Sequence, residues 1–131
     1  MGTLIDTSVL IPVERGELDL RGVADAEEPL AMAAVTASEL LHGVHATKDV
    51  VRRARIERSV ERIIATIDIV PFTLAIARLH AQLSADLEAR GARIGAHDLM
   101  IAATAIWLDY RVATRDLRSF PKIRGLGVVR W

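Results

Sequence analysis

At 131 residues the chain fits one domain, long enough to bury about two thirds of its unfolded surface and to fold without staples. It contains no cysteine, which excludes disulfides and thiolate metal sites and agrees with a reducing compartment. No basic segment followed by an apolar run opens the sequence, and no uninterrupted apolar stretch approaches the roughly 20 residues of a membrane span, so a soluble cytoplasmic protein is expected.

The formal net charge of zero argues at first sight against a nucleic-acid partner, but the charges are segregated. Residues 1–30 carry seven acids against two arginines, whereas residues 111–131 carry six basic side chains against Asp116 alone, which leaves room for a basic face. Arginine dominates the basic residues and suits bidentate phosphate contact, although codon usage produces the same bias and the preference decides nothing. The high apolar fraction of so small a chain points to apolar surface left over for a partner or a second copy.

In chain order, Leu4 and Ile5 read as a buried strand, Asp6-Thr7-Ser8 as a turn with capping hydroxyls, and Val9 onward as a helix whose regularity Pro12 limits. Asp6 is balanced between a helix cap and a functional acid at the end of a strand. Glu14 to Glu28 reads as a solvated loop with a short helix. A second buried strand is expected over Leu30–Val35, then a helix opened by Thr36-Ala37-Ser38-Glu39, a capping-box spacing that gives Glu39 a purely structural use. Lys48–Ile64 and Ala75–Arg90 read as amphipathic helices covering a sheet, with Glu57 and Glu61 expected to pair with the arginines of the first. Between them, Ile67–Val70 before Pro71 reads as a third strand. Arg111–Thr114 reads as a fourth and Gly127–Trp131 as a fifth. Strands alternating with helices predict an α/β domain with a parallel sheet of about five strands and helices on both faces.

The stretch Arg93–Leu108 carries the strongest chemical signal. From Ala96 it is apolar on every face, the pattern of a helix buried on most sides, yet it holds one acid, Asp98. An unpaired carboxylate removed from water costs several kcal/mol, so Asp98 must be neutralised, hydrogen-bonded or bound to a cation. Its position in the first helical turn favours the ionised form. Asp6 and Asp116 each follow a strand, while Asp98 and Glu39 begin helices that start on the same side, so a parallel fold directs all four to one rim. An oxygen-only cluster with no His or Cys partner suits Mg²⁺ or Mn²⁺ and disfavours zinc. His42, His45, His80 and His97 receive no catalytic role.

The segments L-I-D-T-S-V-L-I, T-A-S-E-L-L-H-G-V, I-G-A-H-D-L-M-I-A-A-T-A and V-A-T-R-D-L-R-S-F occur in the order and spacing of the PIN-domain nucleases, and the chain resembles the VapC toxin branch of toxin–antitoxin modules from Leu4 to Trp131. Phe120-Pro121-Lys122 departs from that pattern without touching the acids. The resemblance implies a single PIN-like nuclease domain over residues 1–131. In it Asp6, Glu39, Asp98 and Asp116 would bind Mg²⁺ (or Mn²⁺) and act in catalysis, with Asp6 and Asp98 in most direct contact. It also implies Thr114 and Ser8 as supporting hydroxyls, and Arg115 and Arg118 as phosphate-positioning side chains. The implied reaction is endonucleolytic hydrolysis of RNA by a metal-activated water, with an antitoxin of the VapB type and a second copy of the chain as partners. Three readings compete. A phosphotransferase of the haloacid dehalogenase type wants an acid where Ser8 stands; a DNA nuclease shares the carboxylate chemistry; an RNA-binding domain without catalysis keeps only the fold.

Overall fold

Five hydrophobic runs bounded by turn or charged residues line up in one direction in the computed structural model, which describes residues 1–131. They are β1 (Thr3–Ile5), β2 (Leu30–Ala33), β3 (Asp68–Val70), β4 (Arg111–Thr114) and β5 (Val128–Arg130). All pair in parallel, in the order β3-β2-β1-β4-β5. The chain steps outward from the central β1 to β2 and β3, then returns to place β4 on the other side of β1. The order therefore reverses between β1 and β4, and a crevice opens beyond their carboxyl ends.

Helices α1 (Thr7–Glu14), α2 (Ala34–Ala46), α3 (Val50–Thr66), α4 (Leu74–Ala89) and α5 (Ala96–Leu108) make the crossovers. Alternation along the strands splits the core in two. Leu4 and Val112 pack with Leu87, Leu99, Ile101 and Ala105 of α4 and α5, whereas Ile5 and Ala113 pack with Val9, Leu10, Leu40, Val60 and Ile63 of α1 to α3. Helix α5 is the most enclosed, with Ile101, Ala102, Ala103 and Ala105 fully buried, and small alanines let it lie close against the sheet. No helix is long and apolar enough to cross a membrane.

Three local expectations change. The second strand stops at Ala33 and α2 starts at Ala34, so Thr36 lies inside the first turn and Glu39 inside the second; no capping box forms, and the Thr36 hydroxyl is buried without a partner. The apolar run Ala31–Val35 satisfies strand and helix equally, and packing decides where one becomes the other. Along α3 none of the ion pairs expected of Glu57 and Glu61 forms, because exposed pairs gain too little in water to hold long side chains together. That helix is secured instead by Asp49, whose carboxylate accepts the Arg52 N–H at 2.8 Å.

The acidic loop is not solely a solvated face. It contains a single 3-10 turn (Leu20–Gly22), and its last acid, Glu28, is almost wholly buried, accepting from the Thr3 hydroxyl, from Arg111 Nη2 at 3.0 Å and from the Asp25 N–H at 3.2 Å. Arg111 also donates through Nε to Thr3 Oγ1 at 2.9 Å and lies 5.8 Å from the centre of the Trp131 ring. This network joins the amino ends of β1 and β4, opposite the crevice.

Burial pushes the Glu28 carboxyl up, but the bonds from Thr3, Asp25 and Arg111 outweigh it and hold the group below its ordinary value. Its contribution is therefore complete above about pH 4.5 and lost as pH falls through the lowered value. Glu28→Gln is expected to lower the unfolding midpoint at pH 7, with the gap to the native protein closing below pH ~4.5 in thermal melts across pH. Phe120, the largest fully buried side chain, fills the core beneath α4 and α5. Phe120→Ala should cost about 3–5 kcal/mol in denaturant unfolding, and Phe120→Leu distinctly less.

Candidate metal centre

The crevice is furnished first by Asp6. It follows β1 directly and stands at the cap position of α1, yet its side chain makes no cap bond, so the capping role is not the one it plays. Its Oδ2 instead accepts from Ser8 Oγ at 2.7 Å and from Thr114 Oγ1 at 3.0 Å, while Oδ1 has no protein donor. Strand register makes this possible: Ile5 pairs with Ala113, and the Asp6 N–H donates to the Ala113 carbonyl at 2.9 Å, which sets Asp6 beside Thr114. Asp6 as a whole is 6% exposed, and two hydroxyls hold its carboxylate.

The same hydroxyl reaches a second acid. Thr114 Oγ1 accepts the Asp116 N–H at 3.0 Å, and Ser8 Oγ accepts the Arg115 N–H at 2.9 Å, so the turn after β4 is pinned to the turn after β1. Glu39 arrives from α2. Its Oε1 accepts from Thr7 Oγ1 at 2.9 Å and lies 3.7 Å from His97 Nδ1. Asp98 enters from the first turn of α5 and is half-buried rather than enclosed.

The electrostatics show that the four acids share one space. Burial first raises the Asp98 pKa, the Ser119 side chain beside it pulls the other way, and the charges of Asp6, Asp116 and Glu39 then raise it further. Burial and repulsion thus outweigh the Ser119 contact and hold the group above its ordinary value. Asp116 is held at about 2, chiefly by the Arg118 side chain. The acids ring the crevice without three of them closing into a ready-made ligand cage.

The two arginines are already engaged. Arg115 Nε donates to the Trp131 carbonyl at 2.9 Å, and Arg118 grips Asp116. Three neighbours of the acids have no place at the site in the sequence reading: Thr7 is read there only as a capping hydroxyl, Ser119 is not singled out, and His97 is given no catalytic role. Thr7 carries a usable signal, since a hydroxyl one residue after a strand-end acid faces the same rim. Ser119 carries none, because its place depends on the course of a loop. His97 is given away only by its adjacency to Asp98.

Glu39 also lines a cleft of about 450 Å³ between α1, α2 and α3, floored by Ile11, Leu40 and Ile56 and walled by Glu14, Arg15, Arg52 and Arg55.

The chain is similar to known proteins over nearly its whole length. The PIN domain family model matches residues 3–126. The chain is 30% identical over 129 residues to the ribonuclease VapC of Rickettsia bellii, covering 98% of this chain and 96% of that one. Among solved structures it is similar to FitAcB from Neisseria gonorrhoeae, at 31% identity and a TM-score of 0.79 over 96% of this chain and 95% of that one. It shares its fold with VapBC2 from Rickettsia felis bound to a promoter DNA fragment, at 22% identity and a TM-score of 0.89 over 100% and 99%. A match across nearly the whole chain, with the four acids gathered where β1 and β4 part, makes it a member of the PIN-domain family, on the VapC branch.

Proposed function

We propose that the protein is a divalent-cation-dependent endoribonuclease that serves as the toxin of a VapBC-type pair. The observation that carries this reading is the convergence of Asp6, Glu39, Asp98 and Asp116 on one crevice, with Asp98 feeling the charge of the other three. Four carboxylates with no Cys, and with His97 Nδ1 3.7 Å from Glu39 Oε1, form a hard, oxygen-rich donor set, and their mutual repulsion is relieved by a small divalent ion, Mg²⁺ or Mn²⁺. Asp6 and Asp98 would hold it most directly, Glu39 and Asp116 partly through water. A divalent ion bound there lowers the pKa of a coordinated water and offsets charge on a phosphodiester.

The chain's own residues supply order. Ser8 and Thr114 fix Asp6 before any ligand arrives, so its free Oδ1 needs no rearrangement. Thr7 does the same for Glu39. Held this way, the acids form a preorganised negative rim that a cation converts into a phosphate-binding one. The cleft leading away from Glu39, apolar below and mixed in charge at its walls, suits an amphipathic segment of an antitoxin of the VapB type. Support for that partner comes from the antitoxin complexes among the similar structures, and exposed Trp107, Leu117 and Leu74 provide apolar surface for a second copy.

Purified protein is expected to cut RNA with Mg²⁺ or Mn²⁺, leaving 5′-phosphate and 3′-hydroxyl ends, and to stop in excess EDTA. Asp98→Asn should lower turnover by at least about a hundredfold, on the order of 3 kcal/mol in the barrier, with an unchanged circular dichroism spectrum. Activity surviving EDTA would refute the assignment. Glu39→Gln retains an oxygen to accept from Thr7, so stability should stay within ~0.5 kcal/mol while turnover falls; an unaltered rate would leave Glu39 with no part in the chemistry.

A further inference from the structure

Arg118 stands two residues after Asp116 and meets its carboxylate through two parallel bonds, Nε to Oδ1 and Nη2 to Oδ2, each 2.9 Å. The Arg118 backbone N–H adds a third at 3.0 Å to Oδ1. Both Asp116 oxygens are therefore engaged by the chain itself, which takes three of the carboxylate's roughly four acceptor sites. No other acid of the crevice is bound in this way. Asp6 is held by two hydroxyls, Glu39 by one hydroxyl with His97 3.7 Å away, and Asp98 has no basic side chain within salt-bridge distance.

An exposed ion pair ordinarily contributes little, and the Arg118 side chain is 88% exposed. This one differs in its geometry. A planar fork matches a carboxylate at both oxygens, which a point charge cannot do, and the three-residue turn keeps donor and acceptor at contact distance. The turn is itself fixed, at its start by Thr114 Oγ1 on the Asp116 N–H and at its end by fully buried Phe120. Arginine also stays charged at every working pH, so the fork does not release by deprotonation.

We propose that Arg118 is a resident counter-cation that keeps both Asp116 oxygens out of direct contact with the bound metal, so that the native pocket accepts one divalent ion and not two. The inference rests on the divalent-cation reading above. Arg118 and an ion compete for the same two oxygens, and Asp116 contributes to the site through its charge and through water. The pocket then holds its net charge down with a side chain where a two-ion centre would use a second metal. Arg118 is in this account a positioning residue, acting on the metal through Asp116.

The test is titration of Mn²⁺ into the purified full-length protein, with free Mn²⁺ counted by electron paramagnetic resonance and binding heats measured by calorimetry. Native protein should bind one Mn²⁺. Arg118→Gln should either bind a second or hold the first about tenfold or more tightly, a shift of about 1.4 kcal/mol or more. The gain should vanish when Asp116→Asn is added, because no carboxylate is then freed. Arg118→Lys, which cannot form the fork, should fall between native and Gln, and it carries the test if the Gln variant fails to fold. Two ions in the native protein, or Arg118→Gln and Arg118→Lys isotherms that superimpose on the native one, would overturn the counter-cation role and leave the metal reading standing. Native protein that binds no Mn²⁺ and cannot be told from Asp98→Asn would overturn both.

Discussion

The pairing of β1 with β4 governs this molecule. Two strands of three and four residues lie side by side in parallel, Ile5 against Ala113, and each is followed at once by a turn carrying an acid. A shift of one residue in that register would turn Leu4 and Ile5 to the wrong faces of the sheet and so empty both halves of the core. Core packing therefore fixes the register, and the register brings Asp6 within reach of Thr114. The geometry of the crevice is inherited from hydrophobic packing some distance from any chemistry.

What holds the acids close is polar and local. Hydroxyls from Ser8, Thr114 and Thr7 each satisfy a carboxylate oxygen, and the same Ser8 and Thr114 oxygens accept backbone N–H groups of the opposite turn. Like charges that would otherwise push the turns apart are thereby tied to the frame at fixed points. Glu39 is held by the single Thr7 hydroxyl, and the Asp98 carboxyl is driven upward by burial and by its neighbours. The site is strained electrostatically while its backbone is ordinary: the one non-glycine residue with positive φ, Asp109, ends α5 far along the chain from Asp98.

Much of this was readable from the residues. Strand followed by acid, seen at Asp6 and again at Asp116, marked the rim, and Asp98 stood out as one charge in an apolar helix. Both signals work because burial leaves a periodic trace and an acid interrupts it. Glu39 was reached as an acid opening a helix on the rim side; the early start of α2 moves it into the second turn and removes the capping box that offered it a purely structural use. The fate of Glu28 could not be read, because its partners Thr3 and Arg111 lie on other strands and the loop between them has no period. The engagement of Arg118 with Asp116 was equally hidden. A basic side chain two residues from an acid has many rotamers, and only the turn between β4 and β5 selects the one that forms the fork.

The order of the strands has a temporal consequence. Asp6 leaves the ribosome long before Asp116, and the strand that unites them is inserted beside β1 only after β2, β3 and five helices have been made. Contacts of such long sequence separation form slowly, and domains fold largely as units during synthesis. A nascent chain stalled anywhere before β4 thus lacks Thr114 and Asp116 and leaves Asp6 half-supported, so the acidic centre is assembled only once the turn after β4 has been made.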